Sequence, residues 1–165
     1  MISHENALKL LHQHIQSAQM IKHTLASEAV LRSIALKLNE NQEEWGIAGL
    51  LHDIDVELTH ADPLKHGPYA AVMLEGLLTA EAIDAIVMHN EMATGKERTT
   101  VFQHALAAGE TITGLIMATA MVYPDKKLSS VKTKSITKRM KEKAFAASVK
   151  RENIPGVRIN RYSDS

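Results

Sequence analysis

Cysteine is absent from this sequence, which excludes every class of site that depends on a thiol. Disulfides, thiolate nucleophiles and sulfur-rich zinc sites therefore cannot form. Any bound metal must be held by imidazole and carboxylate groups, and the chain supplies nine histidines for that purpose. Such a donor set favours divalent transition metals over a thiolate-bound structural zinc.

An excess of charge and a membrane-length apolar run are also missing. Lys plus Arg and Asp plus Glu both total 19, so no overall charge indicates a polyanionic partner. No uncharged run reaches the length of a membrane span. The first residues, MISHENALKLLHQHIQ, lack the basic-then-apolar order of a signal peptide. We therefore expect a cytoplasmic protein without membrane contact.

Strand signals are scarce, and helical periodicity takes their place. Aromatic residues make up only 4% of the chain, and strict alternation of apolar and polar residues is rare. Apolar residues instead recur at three- and four-residue steps over residues 5–19, about 20–38 and about 101–121. With 165 residues, no internal repeat and no low-complexity linker, the sequence predicts one all-α domain over residues 1–165.

Helix boundaries are indicated by capping residues and prolines. The predicted helix starts are Asn41–Glu44, Asp62–Pro63, Gly67–Pro68 and Thr79. Proline fits the first helical position because its missing N–H has no partner there in any case. We expect the helix that begins at Asn41 to end at the doublet His52–Asp53.

Several histidines and acids stand where the helical pattern turns side chains inward. They are His23, His52, Asp53, His66, His89 and Glu110. A buried carboxylate costs several kcal/mol unless it is paired or coordinated, and Glu110 lies within a long apolar run. Gly114 shares its face and would let another helix or a ligand approach closely.

Taken singly, each of these residues also has a structural explanation. A histidine on an apolar face is often a hydrogen-bonded core residue, and Glu110 could form a buried ion pair. The ordered set, a histidine, the His-Asp doublet, two more histidines and an acid on successive helices, favours a metal site. The other histidines are left outside it: His4, His12, His14, His60 and His104.

The doublet lies in the stretch GLLHDID, residues 49–55, and with it the chain resembles the HD-domain metal-dependent phosphohydrolase superfamily. Further stretches resemble an HDIG-like subgroup of small bacterial HD proteins that are predicted hydrolases. These stretches are HGPYAAVML, MHNE, HALAAGETITGLIMATAMVYPDKKL at 104–128 and KSITKRMKEKAFAASVKRE at 134–152. The resemblance implies a helical bundle of the HD-domain type.

The resemblance also implies a ligand set. His23, His52, Asp53 and the position of Glu110 would ligate one divalent ion, and His66 and His89 would allow a second. Asp53 would then bridge the two ions. The sequence leaves iron, manganese, cobalt, nickel, magnesium and zinc open.

The catalysis implied by the resemblance is hydrolysis of a phosphate ester by a metal-activated water. We predict Asp53 as a catalytic residue. Asp55 and Glu57 are predicted as proton acceptors because they are close to it in sequence.

Two departures from the superfamily pattern bear on activity. Relatives commonly have an Ala-Ala-Asp-like sequence where this chain has Ala108-Gly109-Glu110, so a longer acid occupies the last ligand position. Asp55-Val56 replaces the Gly-Lys that often follows the doublet, which removes a phosphate-binding lysine. These changes keep open an alternative function, a catalytically impaired metal- or nucleotide-binding or sensing module. A structural helical domain with hydrogen-bonded core histidines is a third reading.

The last part of the chain is basic. Residues 126–151 hold ten Lys or Arg and one acid, and Lys134, Lys138 and Arg139 are candidates for binding a substrate phosphate. The alternative is a solvated helix face. Phe145 is the only aromatic residue in this stretch, which argues against nucleic acid because stacking would need more of them.

The predicted function is therefore a metal-dependent phosphohydrolase that acts on a nucleotide or another small phosphorylated compound. The sequence leaves open whether it is a phosphomonoesterase or a phosphodiesterase, and it leaves the oligomeric state open.

Overall fold

The computed structural model describes residues 1–157, with side chains through residue 154. No strand occurs in this described part, which confirms the prediction of an all-α fold. The α-helices are α1 (His4–His14), α2 (Ala18–Leu38), α3 (Gln42–Leu51), α4 (Pro68–Leu74), α5 (Ala80–His89), α6 (Glu91–Thr94), α7 (Val101–Met121) and α8 (Thr133–Met140). Short 3₁₀ helices occupy Leu128–Ser130 and Arg151–Val157. None of the helices within residues 1–157 is both long and apolar enough to cross a membrane.

Side-chain caps fix where the longer helices begin. Ser17 caps α2, Asn41 caps α3 and Thr79 caps α5, each accepting a hydrogen bond from a backbone N–H in the first turn. Thr100 and Gln103 form a reciprocal capping box at the start of α7. The predicted starts at Asn41 and Thr79 are thereby confirmed.

Helix α3 lies at the centre of the core, since every residue from Trp45 to Leu51 is buried. Two glycines let its neighbours approach closely. A Cβ at Gly49 would lie 3.0 Å from the backbone oxygen of Ser27 in α2. A Cβ at Gly109 of α7 would overlap the Leu31 side chain of α2. The absence of these two methyl groups therefore sets the spacing of α2 against α3 and α7.

Residues 52–67 join α3 to α4 through consecutive turns. The predicted helix start at Asp62–Pro63 is wrong, because the Asp62 carboxylate accepts a hydrogen bond at 3.0 Å from the Leu64 N–H and closes a turn instead. The start at Pro68 is confirmed, and Gly67 precedes it at φ +98°, a left-handed conformation that suits glycine.

After α8 the chain folds back onto α7, and we call residues 141–154 the return segment. The Arg151 guanidinium holds this segment together by donating to backbone carbonyl oxygens. The acceptors are Arg139, Glu142, Phe145, Ala146 and Val149. Val149 then packs on α7, where its Cγ2 would lie 3.7 Å from a Cβ at Gly114. The segment that approaches Gly114 is therefore the return segment.

Candidate metal centre

The carboxylate of Asp53 lies at the centre of a cluster of four imidazoles. Its Oδ2 is 3.2 Å from His52 Nε2 and 3.5 Å from His23 Nε2. Its Oδ1 is 3.2 Å from His66 Nε2 and 3.6 Å from His89 Nε2. Each carboxylate oxygen thus faces its own pair of ring nitrogens.

The five side chains come from separate parts of the chain. His23 lies on α2, His52 ends α3, His66 precedes α4 in the turn region and His89 is the last residue of α5. The close contact of α2 with α3 at Gly49 brings His23 and His52 together, with ring centroids 5.2 Å apart.

Hydrogen bonds at Nδ1 determine how three of these rings are oriented. His52 and His89 each donate Nδ1–H to the backbone carbonyl three residues earlier, at 2.8 Å for His52. His66 donates Nδ1–H to Asp55 Oδ1 at 2.7 Å. A carbonyl or carboxylate oxygen can only accept, so the proton sits on Nδ1. In the neutral ring Nε2 then carries the lone pair that a metal needs.

Two triads of donor atoms meet the distance requirement of a metal site. One consists of His23, His52 and Asp53, and the other of Asp53, His66 and His89. The atoms within each triad lie within 4.8 Å of one another. Asp53 belongs to both, so its two oxygens are placed as a bridging carboxylate would need them.

The residues present fit a metal, as two observations show. His52 Nε2 is fully buried and has no hydrogen-bond partner with acceptable geometry in the described part of the chain. The Nε2 atoms of His66 and His89 lie 3.0 Å apart, so two lone pairs would repel unless a proton or a cation stands between them. A buried nitrogen without a partner and a pair of converging nitrogens are both explained by coordination.

The electrostatics of the cluster also favour a cation. Burial opposes ionisation of Asp53, but the neighbouring His52, His66 and His89 outweigh it and hold the pKa of Asp53 well below its usual range. Burial likewise disfavours protonated His66, but Asp53 and Asp55 raise its pKa to about 10. Burial, reinforced by His52, lowers the pKa of His23 to about 4. Asp53 is thus ionised and His66 protonated, whereas His23 is neutral and ready to coordinate. A divalent ion would displace the proton of His66.

Asp55 and Glu57 are predicted as proton acceptors, and the carboxylates of both accept hydrogen bonds from other parts of the chain. Asp55 is fully buried, and its Oδ2 accepts hydrogen bonds from the N–H groups of Gly67 and Ala70 at 2.9 and 3.0 Å. Its Oδ1 accepts from His66. Asp55 therefore caps α4 and orients a candidate ligand at once.

Glu57 lies elsewhere, because its carboxylate accepts hydrogen bonds from the N–H groups of Gln16 and Ser17 ahead of α2. These bonds lower the pKa of Glu57. It belongs to neither donor triad among the described residues.

A cavity of about 260 Å³ opens beside the cluster. His23, His66, His89 and Glu110 form part of its wall. The Glu110 carboxylate accepts a hydrogen bond at 2.5 Å from the Thr111 hydroxyl, and it is outside both donor triads of the described residues. The structure therefore brings Glu110 to the same pocket as the histidines without placing it among the convergent donor atoms.

The lysines and arginine predicted to bind phosphate are not among the residues that line this cavity. Lys138 and Arg139 approach the Glu142 carboxylate at 3.8 and 3.6 Å, and the Arg139 guanidinium stacks 4.1 Å from the centre of the Phe145 ring. Neither these two residues nor Lys134 lines the cavity.

The return segment supplies polar wall residues that the sequence analysis overlooked. The cavity is lined by Ser148, Lys150 and Asn153 of this segment, together with Asn90, the C-cap residue of α5, and Thr111 of α7. Their signal in the sequence is weak, because a single serine, lysine or asparagine on an irregular segment fits a solvated surface equally well. MHNE did contain Asn90, next to His89.

Comparison with known proteins decides the family. The HD domain family model matches residues 20–121, well over half of the chain. The chain belongs to the HD-domain family. No curated protein and no solved structure matches it.

Members of the HD-domain family are generally metal-dependent phosphohydrolases. The matched range contains the two donor triads and Glu110, whereas the return segment lies beyond it. The family assignment and the histidine–aspartate cluster thus agree on a centre that could hold a divalent metal, whose identity they leave open.

Proposed function

We propose that this HD-domain protein is a metal-dependent phosphohydrolase that acts on a nucleotide or another small phosphorylated compound. The observation that carries the proposal is the Asp53 carboxylate, whose two oxygens each face a separate pair of histidine Nε2 atoms. A buried acid shared between two imidazole pairs is the donor arrangement of a two-ion hydrolytic site.

The proposed ligands follow from the two triads. His23, His52 and Asp53 would hold one ion, and Asp53, His66 and His89 would hold the other. Glu110 is proposed as a further ligand because its carboxylate shares the cavity. Burial opposes protonation of His52, but Asp53 raises its pKa and Glu110 adds to that effect. Four imidazoles among the donors favour iron, manganese, cobalt, nickel or zinc over magnesium, which prefers oxygen ligands.

The bound ions would activate a water molecule as the nucleophile and neutralise charge on the substrate phosphate. The chain's own contribution is positioning. Asp55 keeps the proton of His66 on Nδ1, and the backbone carbonyls of Gly49 and Ile86 do the same for His52 and His89. The rings therefore present Nε2 to the centre without a further reorientation.

Elemental analysis of protein purified without chelator tests the proposal, with Asp53→Asn and Asp62→Asn compared. Asp62 is an acid of the same turn region that pairs with Lys65, and its replacement serves as the matched control. We expect about one or two equivalents of metal in the wild type and the control, and a loss in Asp53→Asn. Screening of phosphorylated compounds with the matching ion then measures turnover. A wild type that binds no metal after incubation with manganese or iron would refute the proposal.

A second candidate function is a catalytically impaired HD module that binds metal or a nucleotide without turnover. The observation in its favour is Glu110, which occupies the last acidic position, bonds to Thr111 and stands outside both triads. Metal-loaded wild type and Glu110→Asp should be assayed on the same compounds. Turnover by Glu110→Asp alone would favour the impaired module, and turnover by the wild type would exclude it.

A further inference from the structure

The cavity beside the metal centre is bounded by two different parts of the chain. The HD-domain match provides His23, His66, His89 and Glu110. The return segment, beyond the match, provides Ser148, Val149, Lys150 and Asn153. Ligands that enter the cavity therefore meet the metal centre and the return segment at the same time.

Of the described residues that line this cavity, Lys150 is the only lysine or arginine. No acid of the described part lies within ion-pair distance of its ammonium group, and the side chain is exposed. Lys138 and Arg139 differ, since Glu142 approaches both of them and partly satisfies their charge. Among the residues that the structure describes, no acid shares the positive charge of Lys150, which lies on the cavity wall beside the candidate metal centre.

The position of Lys150 is fixed on both sides by hydrogen bonds. Arg151 binds backbone carbonyls of the return segment, as described above. Asn153 accepts a hydrogen bond at 3.2 Å from Arg98 and donates one at 3.3 Å to the Thr111 hydroxyl. Arg98 also donates to the backbone oxygen of His89 at 2.9 Å. The return segment is thereby tied to the helix end that carries His89 and to the helix that carries Glu110.

We propose that Lys150, on the wall that the return segment contributes to the pocket, binds a phosphate group of the substrate. The ammonium group would act as a point charge on phosphate oxygens, the mode of recognition that suits lysine. Asn153 is a positioning residue, because it holds Lys150 in place through Arg98 and Thr111. This inference rests on the proposed function in that it concerns the same pocket.

The test is calorimetric titration of inorganic phosphate into manganese-loaded wild type, Lys150→Gln, Lys143→Gln and Asn153→Ala. Lys143 is an exposed lysine of the same segment outside the cavity wall, so its replacement makes the matched change in charge. A charge-assisted contact to a phosphate is stronger than a neutral one, so Lys150→Gln should raise the Kd about three- to tenfold. Asn153→Ala should raise it in the same direction without a change in charge, while Lys143→Gln matches the wild type.

Metal content and hydrolysis of p-nitrophenyl phosphate, measured on the same samples, separate this inference from the proposed function. Equal phosphate affinity in the wild type and Lys150→Gln, at equal manganese content, would overturn the inference and leave the hydrolase proposal standing. Weaker phosphate binding by Lys150→Gln supports the inference even if no sample hydrolyses the ester. A wild type that binds manganese but no phosphate would overturn the inference outright.

Discussion

Replacement of Asp55 by asparagine isolates the role of a buried carboxylate that touches a candidate ligand without belonging to either triad. In the wild type, Oδ2 accepts from the N–H groups of Gly67 and Ala70, at 2.9 and 3.0 Å, while Oδ1 accepts from His66 Nδ1 at 2.7 Å. The asparagine side chain has nearly the same shape but only one oxygen. The two backbone donors need that oxygen, so the NH₂ group must face His66.

Two donors then point at each other unless His66 moves its proton from Nδ1 to Nε2. A ring protonated at Nε2 cannot coordinate a metal through that atom. Loss of a hydrogen bond to a charged group costs about 1.5–3 kcal/mol. Removal of such a supporting partner typically lowers metal affinity by about 10–100-fold. We expect a loss of that size for the ion held by Asp53, His66 and His89, and a smaller change for the ion held by His23 and His52.

The assay is a titration with buffered free manganese in which bound metal is measured at each concentration. Glu57→Gln is the control, since it makes the same carboxylate-to-amide change on a residue that binds only backbone N–H groups ahead of α2. The wild type and the control should show the same curve, and Asp55→Asn should show one weakened step. Wild-type affinity for both ions in Asp55→Asn would refute the reasoning about the His66 tautomer.

Three further predictions concern stability. Gly49→Ala places a Cβ 3.0 Å from a backbone oxygen of α2. Overpacking of about 1–3 kcal/mol should exceed the gain in helix propensity of about 1 kcal/mol, so the free energy of unfolding measured in urea should fall. A stabilised variant would contradict this packing. Hydrogen bonds from the N–H groups of Ser17 and Gln16 lower the pKa of Glu57, so the stability they provide is present above the usual glutamate pKa and is lost as the pH falls through the lowered value. The stability difference between wild type and Glu57→Gln should accordingly be seen at neutral pH and disappear in acid, and a difference independent of pH would count against it. Manganese at 100 times its Kd should raise the free energy of unfolding by about 2.7 kcal/mol in thermal scans. A chelator or Asp53→Ala should abolish this increase. If the increase persisted in Asp53→Ala, the ion would bind elsewhere.

Local chemistry explains why the sequence predicted most of the helices. Asn41 and Thr79 carry side chains that satisfy free N–H groups at a helix start, and these caps depend only on residues within the next turn. Asp62–Pro63 shows the limit of such signals. The same residues suit a turn, and in the folded chain the Asp62 carboxylate closes that turn while His66, four residues later, contacts Asp55.

The sequence by itself determined the all-helical class and the restriction of any metal to imidazole and carboxylate ligands, because these follow from periodicity and composition. The family also belongs to the sequence, but it rests on the match over residues 20–121 and not on the doublet alone. Only the tertiary structure decided which atoms converge. Asp53 faces two histidine pairs, Asp55 supports His66, and Lys150 lies on the cavity wall. Each of these arrangements brings together residues from separate parts of the chain. Such contacts depend on how helices pack and how irregular segments fold back on them, and no local pattern of residues records that.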